Sequence, residues 1–279
     1  MSEKVVPMIH VPNVRATVDW YKSIGFKVIV MYGDEGEGLS FAMLSFGSGE
    51  VMFSSGGHAS ESRRREVDLY VYSDGVDDLY RRLKDRVEVV EDLHDSFYGM
   101  REFIIRDVNR FWITFGQPSA FQVLMSAVQE NNIDAVKVAL EREGLKPETL
   151  TAALALASSE GDASDDNQSA AIREMLKQAG AVAPLEIDFA ILQSYAGKYK
   201  GEEGIEFNVI FKDGKLHAAP GAQPPLSMLA VDQTTFRPIA FDNYGAVTFT
   251  VESGKTTGCL VDYGEGPMLL KRVEETNQP

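Results

Sequence analysis

Cysteine is almost missing from this chain of 279 residues, Cys259 being the single one. It has no internal disulfide partner, and no zinc framework can be assembled around it. No segment approaches the roughly 20 consecutive apolar residues that a membrane-spanning helix needs. The opening Met-Ser-Glu-Lys-Val-Val-Pro has no long apolar run after its charges. These absences give the expectation of a cytoplasmic protein with no membrane partner. Cations are short too: 27 Lys and Arg stand against 42 Asp and Glu, a formal net charge of -15. Such a chain repels phosphate backbones, so nucleic acid is not expected as a partner. It would draw in cationic ligands, although the same charge also serves solubility.

What is present is an ordinary globular make-up, 44% hydrophobic and 25% charged, enough for two or three cores. Three textures divide it. Over 1–118, strand and helix patterns alternate. A strand at Val5–Val11 precedes Asn13, a helix cap, and Val14, Val18, Trp20 and Tyr21 follow at helical spacing. Gly25 ends that helix, and strands are expected at Phe26–Met31, Leu39–Ser45 and Glu50–Ser54. The order then recurs: strand Val67–Tyr72, helix Val76–Leu83, and strands Val87–Val90, Arg101–Ile105 and Phe111–Phe115. This is βαβββ twice.

Over 119–186 the texture is helical, with two helices around the Asn131-Asn132 turn and another pair at Leu150–Ser158 and Ala170–Ala179. The loop between the second pair, Glu160–Gln168, is polar. Over 187–279 short strands return, with turns at Gly201, Asp213-Gly214, Gly221, Asn243-Tyr-Gly245 and Ser253-Gly254. Regular short strands suggest a small antiparallel barrel or sandwich. The expected class is α+β: a paired βαβββ domain, a helical linker and a C-terminal antiparallel barrel.

Two stretches carry a family resemblance. Tyr98-Gly-Met-Arg-Glu-Phe, followed by Asp107-Val-Asn-Arg-Phe-Trp-Ile-Thr-Phe115, resembles the last hairpin of the glyoxalase/bleomycin-resistance/dioxygenase superfamily. Asp19-Trp-Tyr-Lys-Ser-Ile-Gly-Phe26 is similar to that superfamily's Phe-Tyr-x-x-x-Leu-Gly-Phe. Further along, Ile172-Arg-Glu-Met-Leu-Lys-Gln-Ala-Gly-Ala181 resembles an ankyrin helix and its exit turn. The Tyr195-Ala-Gly-Lys-Tyr199 opening, the Pro-rich 220–225 and Leu270-Lys-Arg resemble a lipocalin-like domain of the kind found behind β-lactamase-like hydrolases.

The resemblance implies a concave sheet that holds either a metal or a small molecule. Metal-dependent members carry four ligands, usually two His or Gln and two Glu, at positions that fall here on Val6, Met52 (or Glu50), Asp68 and Thr114. Val6 and Met52 cannot bind a hard cation, Thr114 is a poor ligand, and one carboxylate does not hold zinc, nickel or iron. No metal and no other cofactor is therefore expected. His58 and His94 fall in expected loops, His217 falls in the barrel, and Ser45 and Ser73 lack a nucleophile context. No catalytic residue is assigned.

By strand parity the cup is lined by Met8, His10, Met52, Ser54, Asp68, Tyr70, Trp112 and Thr114. The resemblance adds Tyr98, and Glu102 adds charge. The candidate ligand-binding set is thus His10, Met52, Asp68, Tyr70, Tyr98, Glu102, Trp112 and Thr114. Each aromatic is as well explained as sheet core, and His10 as a satisfied edge histidine. Arg101 is expected to pair with a carboxylate inside the fold. The function expected is metal-free sequestration of a planar neutral or cationic small molecule, with a homodimer completing each cup as the resemblance implies. The alternatives are a lyase or isomerase in which His10 or a carboxylate acts as base, and a protein-interaction module built on the helices and barrel.

Overall fold

The computed structural model describes residues 6–34, 38–61, 65–160, 167–220, 225–240, 245–262 and 266–273. The turn residues Gly221, Asn243 and Tyr244, most of the Pro-rich stretch and the centre of the 160–168 loop lie outside them. The chain divides into two compact units, 1–96 with 100–118, and 97–99 with 119–279.

The first unit contains β1 (Met8–His10), α1 (Val14–Ser23), β2 (Lys27–Asp34), β3 (Gly38–Phe46) and β4 (Gly49–Ser54). The pattern repeats as β5 (Leu69–Tyr72), α2 (Val76–Leu83), β6 (Glu88–Asp95), β7 (Met100–Arg106) and β8 (Trp112–Pro118). Each half makes a four-stranded sheet, ordered β1-β4-β3-β2 and β5-β8-β7-β6. Asn13 caps α1, its side chain accepting from the Ala16 amide at 2.9 Å. Val14, Val18 and Tyr21 then face inward. Alternation does the rest. Ile9, Ala42, Leu44, Val51 and Phe53 from one sheet, and Phe103, Ile105, Ile113 and Phe115 from the other, are buried in a single core with both helices. The Phe46 and Phe115 rings meet across the halves at 5.5 Å.

β6 is longer than its apolar stretch suggests. His94, expected in a loop, lies in this strand, directly across from Glu102 of β7. β6 is an edge strand, where charged residues such as Glu91, Asp92 and Asp95 are compatible with pairing.

Asp107 organises the β7–β8 turn. Its carboxylate accepts from the amides of Asn109 and Phe111, both at 2.8 Å, and from the Tyr21 hydroxyl at 3.1 Å. Arg110 in the same turn takes the left-handed conformation, with φ 74°.

Arg101, on the helix side of β7, grips Asp77 with Nε at 2.9 and 3.0 Å and with a terminal nitrogen at 2.7 Å, and reaches Asp95 at 3.0 Å. The hydrogen bonds from Arg101 hold the Asp77 carboxyl below its ordinary value. A depressed carboxylate contributes stability above its unfolded value of about 4, and loses it as pH falls through the folded value. Arg101→Met should therefore lower stability by about 1 kcal/mol at neutral pH, and by almost nothing near pH 2. Both tryptophans of the chain, Trp20 and Trp112, lie in this unit. Urea unfolding followed by their fluorescence at the two pH values checks it.

In the second unit come α3 (Ala120–Gln129), α4 (Ile133–Leu140), α5 (Pro147–Glu160), α6 (Asn167–Gln178) and α7 (Phe189–Tyr195). Ser119 and Asn132 cap α3 and α4 through their side chains. Leu124, Val128, Val136, Leu154, Ile172 and Leu176 form the helical core, and Ile239 packs on it. α7 corrects the expectation of β structure from about 187: Leu192 and Tyr195 are in the core of the barrel that follows.

That barrel is closed. It consists of β9 (Gly197–Lys200), β10 (Glu206–Lys212), β11 (Lys215–Pro220), β12 (Leu226–Ala230), β13 (Thr235–Pro238), β14 (Ala246–Glu252), β15 (Lys255–Asp262) and β16 (Pro267–Arg272), with β16 pairing back to β9. At the Asp213-Gly214 and Ser253-Gly254 turns both residues are left-handed, as a tight hairpin demands. Tyr195 stacks on Phe249 at 4.2 Å, and Tyr199, Phe207 and Phe236 fill the space around them. Cys259 is fully buried, and burial pushes its thiol up to about 12, so it is chemically quiet.

Candidate functional site

In each sheet of the first unit, one face packs on its helix and the other is turned away from the core. The second face carries most of the expected site residues. In the first sheet Met8 lies beside Met52, and His10 beside Ser54. Met43 continues the Met52 row and Phe41 the Ser54 row. The His10 Nδ1 lies 3.1 Å from the Ser55 carbonyl oxygen. A carbonyl only accepts, so that nitrogen carries the proton. His10 and Met8 are exposed, and Met52 is half-buried.

In the second sheet the same alternation gives three rows. Tyr70, Thr114 and Ile104 form one, Tyr72, Gly116 and Glu102 the next, and Trp112 and Arg106 a third. Asp68 is exposed and lies one residue before β5. Glu102 is only 4% exposed although it faces away from the helix. The Tyr70 hydroxyl donates to Glu102 Oε2 at 2.7 Å. To reach it, the Tyr70 ring crosses over Gly116, where a Cβ would come within 2.1 Å of the phenol oxygen. Gly116 is therefore required by this contact, because no larger residue fits beneath the ring. Tyr72 stands beside Tyr70 with ring centroids 5.0 Å apart, and His94 lies across from Glu102 on β6.

The structure thus brings Tyr70, Glu102, Trp112 and Thr114 onto one face of one sheet, and His10 and Met52 onto the corresponding face of the other. Tyr98 falls in the second unit, where it is 48% exposed and its ring meets Phe97 edge-on. Gly116, Tyr72 and His94 belong to the same surface and are absent from the sequence-derived set. The spacing of Tyr70-x-Tyr72 and of Thr114-x-Gly116 is the signal that could have found the first two.

The metal positions do not fit a metal. Of the positions the resemblance marks, Val6 and Met52 offer no hard donor, Thr114 offers a neutral hydroxyl, and Asp68 is a single exposed carboxylate. Among the described residues no group of three or more His, Cys, Asp or Glu stands together as a metal cradle.

Residues 5–115 match the Glyoxalase/Bleomycin resistance protein/Dioxygenase superfamily. The N-terminal unit is glyoxalase-like in its paired βαβββ sheets. No curated protein matches the chain. Among solved structures, TioX from Micromonospora sp. ML1 is 20% identical, with a TM-score of 0.35, over 42% of this chain and 97% of that one. A bleomycin-binding protein, solved with bleomycin, is 13% identical, with a TM-score of 0.34, over 42% of this chain and all of that one (100%). The fosfomycin resistance protein FosX from Listeria monocytogenes, solved with Mn(II) and sulfate, is 16% identical, with a TM-score of 0.35, over 44% of this chain and 98% of that one.

Proposed function

We propose that the glyoxalase-like unit binds a planar neutral or cationic small molecule without a metal and sequesters it. The observation that carries this reading is the Tyr70–Glu102 pair. A buried carboxylate, oriented by a phenol whose ring lies beside that of Tyr72, offers a hydrogen-bonded anion on a face that also carries Trp112 two rows along. A second copy of the chain would complete the cup by covering the exposed Met8, Tyr32 and Tyr72. The helices at 119–186 and the barrel at 187–279 are assigned no part in ligand binding, and the barrel interior is filled by its own aromatic side chains.

A thermal-shift panel of planar drugs, run with and without zinc, nickel, iron and manganese salts, tests the reading. Planar cations and neutral heterocycles should raise the melting temperature equally with and without metal. Elemental analysis showing about one equivalent of a transition metal, lost on Asp68→Ala, would overturn it. A monomer mass by light scattering would remove the second copy and leave the ligand surface in place. A second reading, proton abstraction from a bound substrate, is favoured by Glu102 with His94 across from it. Turnover of a ligand from the panel that disappears in Glu102→Gln would select it.

A further inference from the structure

A cleft of about 450 Å³ opens where α2 passes into β6 and β7 ends, lined by Trp20, Lys84, Arg86, Glu88, Arg106 and Asp107 among others. Its charges sort into spent and unspent ones. Glu88 is held by Arg106 and also faces Arg110 at 3.8 Å. Asp107 is used by Tyr21 and the turn amides. The neighbouring Asp85 is exposed to water. Lys84 and Arg86 have no ion pair with any described residue, in a chain whose net charge is -15. The Arg106 side chain is 10% exposed, and its Nε is buried with no hydrogen-bond partner among the described residues. A buried guanidinium N–H without an acceptor is costly unless a ligand supplies one. The half-buried Trp20 adds an indole beside these cations.

We infer that this cleft is a second binding site, for a small aromatic oxyanion. The oxyanion is held by Arg86, Lys84 and the Arg106 Nε–H, and the ring lies against Trp20. Arginine matches a planar carboxylate or a phosphate through paired N–H donors. The flat group distinguishes such a ligand from free phosphate, which would gain nothing from the indole. The site uses none of the residues assigned to the proposed cup ligand, so either assignment can fail alone.

The protein labelled with 5-fluorotryptophan gives one fluorine signal for Trp20 and one for Trp112, assigned with Trp112→Phe. Phenyl phosphate and benzoate, titrated separately, show whether phosphate or carboxylate is preferred. At least one should move the Trp20 signal saturably below about 10 mM, and by more than the signal of Trp112, the cross-strand neighbour of Arg106. In Lys84→Ala/Arg86→Ala, affinity for the same probe should fall at least about tenfold, while the unliganded spectrum keeps its dispersion. Inorganic phosphate should bind more weakly, and benzamidine, a planar cation, should not move Trp20. No saturable Trp20 shift with either anion, an undiminished response in the double variant, or equal binding of inorganic phosphate would each overturn the inference.

Discussion

Asp107→Ala should lower the stability of the N-terminal unit by about 3–4 kcal/mol. The side chain is 4% exposed and is the common acceptor for three donors that nothing else satisfies in the same place. These are the amides of Asn109 and Phe111 and the hydroxyl of Tyr21, itself fully buried. Alanine leaves all three without a protein acceptor, and each donor stranded away from water costs roughly 1–3 kcal/mol. The Tyr21 contact spans from α1 in the first half to the β7–β8 turn in the second, so the loss falls on the joint between the halves. Burial holds the Asp107 carboxyl above its ordinary value, although its hydrogen bonds act in the opposite sense. The linkage is therefore the reverse of that at Asp77. Its contribution is full below the ordinary carboxylate range and is lost as pH rises through the raised value. Asp107→Asn escapes the cost of the buried charge and keeps one carbonyl acceptor, so it should lose only about 1–2 kcal/mol. Tryptophan-monitored urea unfolding of the three proteins decides the matter. A deficit below about 1 kcal/mol for the alanine variant would show that water takes over the carboxylate's role.

Much of this frame is local and therefore legible in sequence. Asn13, Ser119 and Asn132 act as caps through contacts three residues away, and Asp213-Gly214 closes its hairpin without help from elsewhere. Of these caps, Asn13 and the Asn131-Asn132 turn stand out in the sequence. Strand parity likewise separates Ile9 and Phe53, which pack on α1, from Met8 and Met52, which face away. What escaped the sequence depends on distance along the chain. The burial of Glu102 follows from Tyr70, 32 residues earlier, leaning across Gly116. Nothing next to Glu102 in the sequence announces that. His94 was hidden because the edge strand β6 is too polar to show alternation. α7 was hidden because a seven-residue apolar helix, Phe189–Tyr195, carries too little periodicity to be told from a strand. Arg101 was legible as an internal partner, yet which carboxylates it meets, Asp77 and Asp95, is set by how α2 and β6 pack around β7.

Glu102→Gln should weaken a planar cationic ligand by roughly 10- to 100-fold and leave a neutral one of the same shape within about twofold. The sequence offers both Asp68 and Glu102 as anionic partners. Asp68 is exposed, however, and a charge in water contributes little to an ion pair. Glu102 is shielded, and its carboxylate is fixed by the Tyr70 hydroxyl at 2.7 Å, so little ordering remains to be done when a cation arrives. Glutamine keeps the volume and one acceptor for Tyr70 while removing the charge, which isolates electrostatics from packing. Asp68→Asn should have a much smaller effect on the same cation. Trp112→Ala supplies the complementary arm. Losing a stacked ring costs about 0.5–1.5 kcal/mol beyond the lost area, so cationic and neutral ligands should both weaken by roughly tenfold. Calorimetric titration of one cationic and one neutral planar drug against wild type and the three variants separates these effects. If Glu102→Gln binds the cation as tightly as wild type, the buried carboxylate is a structural partner of Tyr70 only, and the ligand surface lies elsewhere.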